Sequence, residues 1–84
     1  MNYTHRNTGT CSRSVSFDMD ESGTVTNVKF EGGCNGNTKG VAALCEGQNA
    51  DKLIEILSGI ECGIKGTSCP DQLAKALYEA RNSQ

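Results

Sequence analysis

The stretch Cys11-Ser12-Arg13-Ser14-Val15-Ser16-Phe17-Asp18-Met19 decides the fold. Val15, Phe17 and Met19 alternate with Ser14, Ser16 and Asp18, which is the period of a strand with one buried face. Cys11 shares the parity of the buried set. Asp20-Glu21-Ser22-Gly23 follows as a turn, and residues 24–31 offer a second strand with Val28 and Phe30 on one face. The two strands predict an antiparallel hairpin. Val25 breaks the alternation and belongs beside the loop or at a bulge.

Downstream the apolar period changes to that of helices. Gly32-Gly33-Cys34-Asn35-Gly36 carries little side-chain bulk and leads into a helix with Val41, Leu44 and Cys45, which Gly47 ends. Asn49 suits the N-cap of a second helix, where Leu53, Ile56, Leu57 and Ile60 recur at i, i+3, i+4 and i+7 and Gly59 marks the end. In a third helix Pro70 suits the first position, Asp71 the positive end of the dipole, and Leu73, Ala76, Leu77 and Ala80 the buried stripe. The expected fold is α+β: an antiparallel β-hairpin or small sheet packed against about three helices. It forms a single domain over residues 1–84, with 1–9 as a flexible start and 82–84 as a frayed tail.

A chain of 84 residues buries only about 60–65% of its unfolded surface, so its core is thin. Ten acidic against eight basic residues give a net charge of −2 and no basic stripe to neutralise phosphates. The aromatics Tyr3, Phe17, Phe30 and Tyr78 do not interleave with basic residues, so no base-stacking platform is visible and no nucleic-acid partner is expected. No stretch approaches the roughly 18 apolar residues of a membrane span, and the first residues lack the apolar run of a signal peptide. A cytoplasmic setting is expected, where cysteine clusters serve metal binding or redox chemistry more often than disulfides.

Five cysteines in so short a chain are the chemical feature to explain. Cys45 falls at helical spacing with Val41 and reads as core. Cys11, Cys34, Cys62 and Cys69 instead sit where the backbone turns. Cys34 and Cys69 precede predicted helices, whose free N–H groups complement a thiolate, and Cys62-Gly63-Ile64-Lys65-Gly66 adds glycine amides and a cation. No Cys-x-x-Cys knuckle is present, so spacing alone leaves two readings open: one metal site, or four separate reduced thiols.

Thr67-Ser68-Cys69-Pro70-Asp71, with Gly33-Cys34-Asn35-Gly36-Asn37 and Cys62-Gly63 upstream, resembles the TSCPD domain family, which takes its name from that pentapeptide. The resemblance covers nearly the whole chain. In that family the domain occurs at the end of vitamin B12-dependent ribonucleotide reductases and as small free-standing proteins. It implies metal ligation by Cys11, Cys34, Cys62 and Cys69, zinc ahead of an iron–sulfur cluster, and a ribonucleotide reductase or other protein as partner. It does not bring a reductase barrel, a radical site or a cobalamin pocket, so no catalytic residue is expected.

The order of Cys11, Cys34 and Cys69, the last followed by Leu73-Ala74, is also similar to that of iron–sulfur cluster scaffold proteins. Arg13 stands where scaffolds carry Asp and Ser68 where they often carry His. Cys62 is additional, and a fourth thiolate closes the coordination sphere, which suits a structural centre better than one meant for release. Two alternatives to a metal module are a thiol relay through Cys62 and Cys69 for ribonucleotide reduction, and an iron–sulfur carrier.

Other signals have plainer readings. Asp18 to Gly23 imitates the start of a calcium loop, but Lys29 stands where a bidentate Glu is required, so the segment reads as a hairpin turn. His5 lies in a polar segment and reads as free. Ser68 has no histidine base in its sequence context.

Overall fold

The computed structural model describes residues 1–10, 12–32, 35–60 and 66–82. Among the described residues three strands and three helices follow in order: β1 (Asn2–Arg6), β2 (Ser12–Met19), β3 (Val25–Gly32), α1 (Asn35–Cys45), α2 (Ala50–Leu57) and α3 (Cys69–Asn82). The strands form an antiparallel meander in the order β1-β2-β3. The hairpin and the α+β class are as the pattern predicts. The segment expected to be a flexible start is instead the edge strand β1, with Tyr3 opposite Phe17 in register and their rings stacked at 5.7 Å.

Two bulges explain where simple alternation fails. Between the pairs Ser16–Lys29 and Asp18–Thr26, β3 carries one residue more than β2, and Asn27 takes a left-handed φ of 55°. That extra residue returns Val25 to the same buried side as Val28. Between Ser12–Gly32 and Ser14–Glu31 the extra residue lies on β2. Ser12, polar and of the wrong parity, is thereby buried to 1% exposure while Arg13 points outward.

The core lies between the sheet and the helices. Val15, Phe17, Met19, Val25, Val28, Cys45, Ala50, Leu53, Leu73, Ala76, Leu77 and Ala80 form one cluster. Helix α1 packs on β3, α2 on α3, and α3 crosses β1 and β2. Cys45 is a core residue as expected, and burial pushes its thiol up to about 11. Asn49 caps α2 as predicted, its side chain accepting from the Asp51 N–H at 2.9 Å. Helix α2 ends at Leu57, where Ser58 donates backbone and side-chain bonds to the Ile54 carbonyl, so Ile60 lies beyond it. Of the expected apolar stripes, Leu53 is buried and Leu57 half-buried, whereas Leu44, Ile56 and Ile60 are exposed.

Helix α3 starts one residue earlier than the proline suggests. The Ser68 hydroxyl accepts from the Asp71 N–H at 3.1 Å and its carbonyl from the Gln72 N–H at 2.9 Å, which makes Ser68 the N-cap. Cys69 is therefore the first helical residue and Pro70 the second, still within the turn where a missing N–H costs nothing. Residue 82 closes the helix, and the rest of the expected frayed tail lies outside the described residues.

Candidate metal centre

The N-terminus of α3 is held from two directions. Asp71, almost fully buried, accepts from the Gly59 N–H at 2.7 Å, from the Thr67 hydroxyl at 2.5 Å and from Lys75 Nζ at 2.9 Å. Burial works against its carboxylate, but the donors from Thr67, Gly59 and Lys75 together outweigh that cost and hold the carboxyl below its ordinary value. The Ser68 hydroxyl also donates to the Ile60 carbonyl at 2.6 Å. These bonds anchor Gly59 and Ile60, just beyond α2, to the start of α3.

The second direction is the turn between β1 and β2. Gln72 Oε1 accepts from the Thr8 N–H at 3.1 Å, while Gln72 Nε2 donates to Thr67 Oγ1 at 3.0 Å. His5, read from sequence as free, is bonded: Nε2 lies 3.2 Å from Gln72 Oε1 and Nδ1 lies 2.8 Å from Glu79 Oε1. Gly9 brings the same turn close. Its φ is 72°, and a Cβ there would meet Thr67 Cγ2 at 2.9 Å, so glycine is required for both conformation and space.

Cys69 sits where these elements meet. Its thiol is free, 6% exposed, and its Sγ lies 2.9 Å from Ser12 Oγ. Ser12 Oγ in turn accepts from Asn7 Nδ2 at 2.8 Å and lies 3.2 Å from Thr10 Oγ1. A sulfur on the first turn of a helix, next to a buried hydroxyl, has donors suited to a metal-bound thiolate.

Of the four predicted ligands, Cys69 is the one among the described residues; Cys11, Cys34 and Cys62 lie outside them. Among the described residues no group of three or more His, Cys, Asp or Glu could hold a metal ion. What the structure does bring together is the described chain beside each of those three cysteines. Ser12, next to Cys11 in sequence, touches Cys69; Gly32, two residues before Cys34, pairs with Ser12; Ile60, two residues before Cys62, accepts from Ser68.

Sequence reasoning missed Ser12, Asn7 and His5. Ser12 shares the parity of Ser14, Ser16 and Asp18, and the bulge that turns it inward has no residue signature. Asn7 and His5 fell in a segment that lacked apolar alternation, the pattern from which strands are read.

A model of the TSCPD domain family matches residues 1–81. No curated protein and no solved structure matches the chain. Among the described residues, no helix is long and apolar enough to cross a membrane.

Proposed function

The chain belongs to the TSCPD domain family, and on that premise we propose that it is a metal-binding module in which Cys11, Cys34, Cys62 and Cys69 hold one zinc ion as thiolates. The observation that carries the reading is the convergence at the start of α3. Ser12, Gly32 and Ile60, described residues within two positions of the other three cysteines, are tied directly or through each other to Cys69 and its cap residue Ser68.

Zinc in a four-thiolate site is redox-inert and supplies a cross-link between chain segments far apart in sequence. A structural zinc contributes roughly 10–16 kcal/mol of apparent binding energy at neutral pH, comparable to or above the roughly 5–15 kcal/mol stability of a small domain. Zinc would therefore decide whether this thin core stays folded. The use we assign to the module is accessory or regulatory, docking on a ribonucleotide reductase or a related protein. Burial of Cys69 speaks against the thiol relay, because an attacking thiolate needs access to its target.

Elemental analysis of protein purified without oxygen or chelator, read with its visible spectrum, tests the proposal. About one zinc per chain in colourless protein is expected. Iron with matching sulfide and a brown colour would replace zinc by a cluster, and folded protein without metal would sink the metal module.

A further inference from the structure

We propose that Ser12 donates the hydrogen bond that orients and tunes the Cys69 sulfur in the metal site, and that Asn7 fixes the direction of that bond. The inference rests on the four-thiolate reading given above.

The Ser12 hydroxyl has one proton and can accept at its lone pairs. Among the described residues three polar neighbours surround it: Asn7 Nδ2 at 2.8 Å, Cys69 Sγ at 2.9 Å and Thr10 Oγ1 at 3.2 Å. The amide nitrogen of Asn7 only donates, so it takes a lone pair of Ser12. The Thr10 hydroxyl spends its proton on the Ser12 carbonyl at 3.0 Å. Ser12 therefore has its own proton left for the nearer remaining acceptor, the sulfur of Cys69. A metal-bound thiolate carries no proton and can only accept, which fits this direction and no other.

Asn7 supplies the independent observation. It is 8% exposed, and among the described residues its Oδ1 is a buried side-chain oxygen with no hydrogen-bond partner. Leaving a buried carbonyl unsatisfied is unfavourable, and native side chains rarely do so. Turning the amide over would satisfy Oδ1 with the Ser12 proton, but would take that proton from Cys69. The arrangement gives up a bond of Asn7 to secure one for the sulfur. Four thiolates around a divalent ion carry a net −2 charge, and O–H donors to sulfur offset part of that excess. Ser12 is thus a positioning residue for the ligand, placed by the bulge that buries it.

The test loads apo protein anaerobically with cobalt(II) chloride and measures affinity by chelator competition, together with the optical spectrum. For Ser12→Ala we expect affinity to fall about 10- to 100-fold. The sulfur-to-cobalt charge-transfer band should move to lower energy while the ligand-field bands stay in place, which a general loosening of structure would not produce. Ser12→Thr, which keeps the hydroxyl, should restore both. Wild-type affinity with an unmoved band in Ser12→Ala would overturn the inference while leaving the metal site standing. Wild-type protein that takes up no cobalt as a thiolate complex would overturn the metal reading itself and this inference with it. Should Ser12→Ala not fold by circular dichroism, the zinc-loaded wild type decides by NMR: a slowly exchanging Ser12 hydroxyl proton is expected, and one exchanging at the rate of free serine overturns the proposal.

Discussion

The backbone N–H of Gly59 donates to the carboxylate of Asp71 at 2.7 Å, tying the turn after α2 to the first turn of α3. The same carboxylate takes the hydroxyl of Thr67, which is itself buried. Asp71→Ala leaves both donors unmatched, and we expect it to destabilise the fold by about 1–3 kcal/mol. Lys75→Ala removes the exposed partner of the same carboxylate and should cost under about 1 kcal/mol. Urea unfolding of the two variants checks the order; equal losses would mean that the ion pair, and not the buried hydrogen bonds, anchors the helix start.

Acid should loosen the β2–β3 turn before the core. The Asp20 carboxylate accepts from the Thr24 N–H at 2.9 Å and from the Ser22 hydroxyl at 2.8 Å, and these bonds hold its carboxyl below the ordinary value of 3.8. A folded value below the unfolded one gives stability that is complete above the unfolded value and is lost as pH falls through the folded value. Asp20→Asn removes this titration. Melting temperatures followed from about pH 6 to about pH 3 should decline less steeply in the variant than in the wild type. Parallel declines would show that the turn contributes nothing to acid sensitivity.

Cys45 should be chemically silent. Burial pushes its thiol up to about 11, so almost none is thiolate at neutral pH, and the side chain lies in the core at 2% exposure. Alkylation of the native protein with iodoacetamide, mapped by mass spectrometry, should leave Cys45 unmodified until the chain is unfolded. Cys45→Ala should keep the full metal content, at a stability cost of about 1 kcal/mol for the lost sulfur volume. Loss of metal in that variant would move Cys45 into the site and break the four-ligand assignment.

The fold was legible where side chains alternate or recur without interruption. Val15, Phe17 and Met19 gave β2, and Leu73, Ala76, Leu77 and Ala80 gave α3, because both faces persist over several repeats. Strand β1 was not legible: Asn2 to Arg6 contains a single apolar side chain, Tyr3, and owes its form to pairing with β2. The bulges were invisible for a related reason, since an inserted residue looks like any other until its partner strand is known. Of the proposed site, the four cysteines stood out by their places at predicted turns, and the pentapeptide with its companions added the reading of metal ligation. The buried hydroxyl beside Cys69 could come only from the register that carries Ser12 inward.

Gly9 should prove necessary for the centre although it carries no side chain. Its φ of 72° is left-handed, which costs an ordinary residue about 1–2 kcal/mol, and an added Cβ would stand 2.9 Å from Thr67 Cγ2. Thr67 cannot retreat freely, because its hydroxyl joins Asp71 to Gln72. The Gly9 turn must then shift, and it lies between Asn7 and Ser12, the two residues that present a hydroxyl to Cys69. Gly9→Ala is expected to lose about 1–2 kcal/mol in the metal-free form and to weaken metal binding as well. Chemical unfolding with chelator separates the first loss from the second, which chelator competition reads. A variant with lowered stability but unchanged metal affinity would show that the turn supports the fold without positioning the ligand.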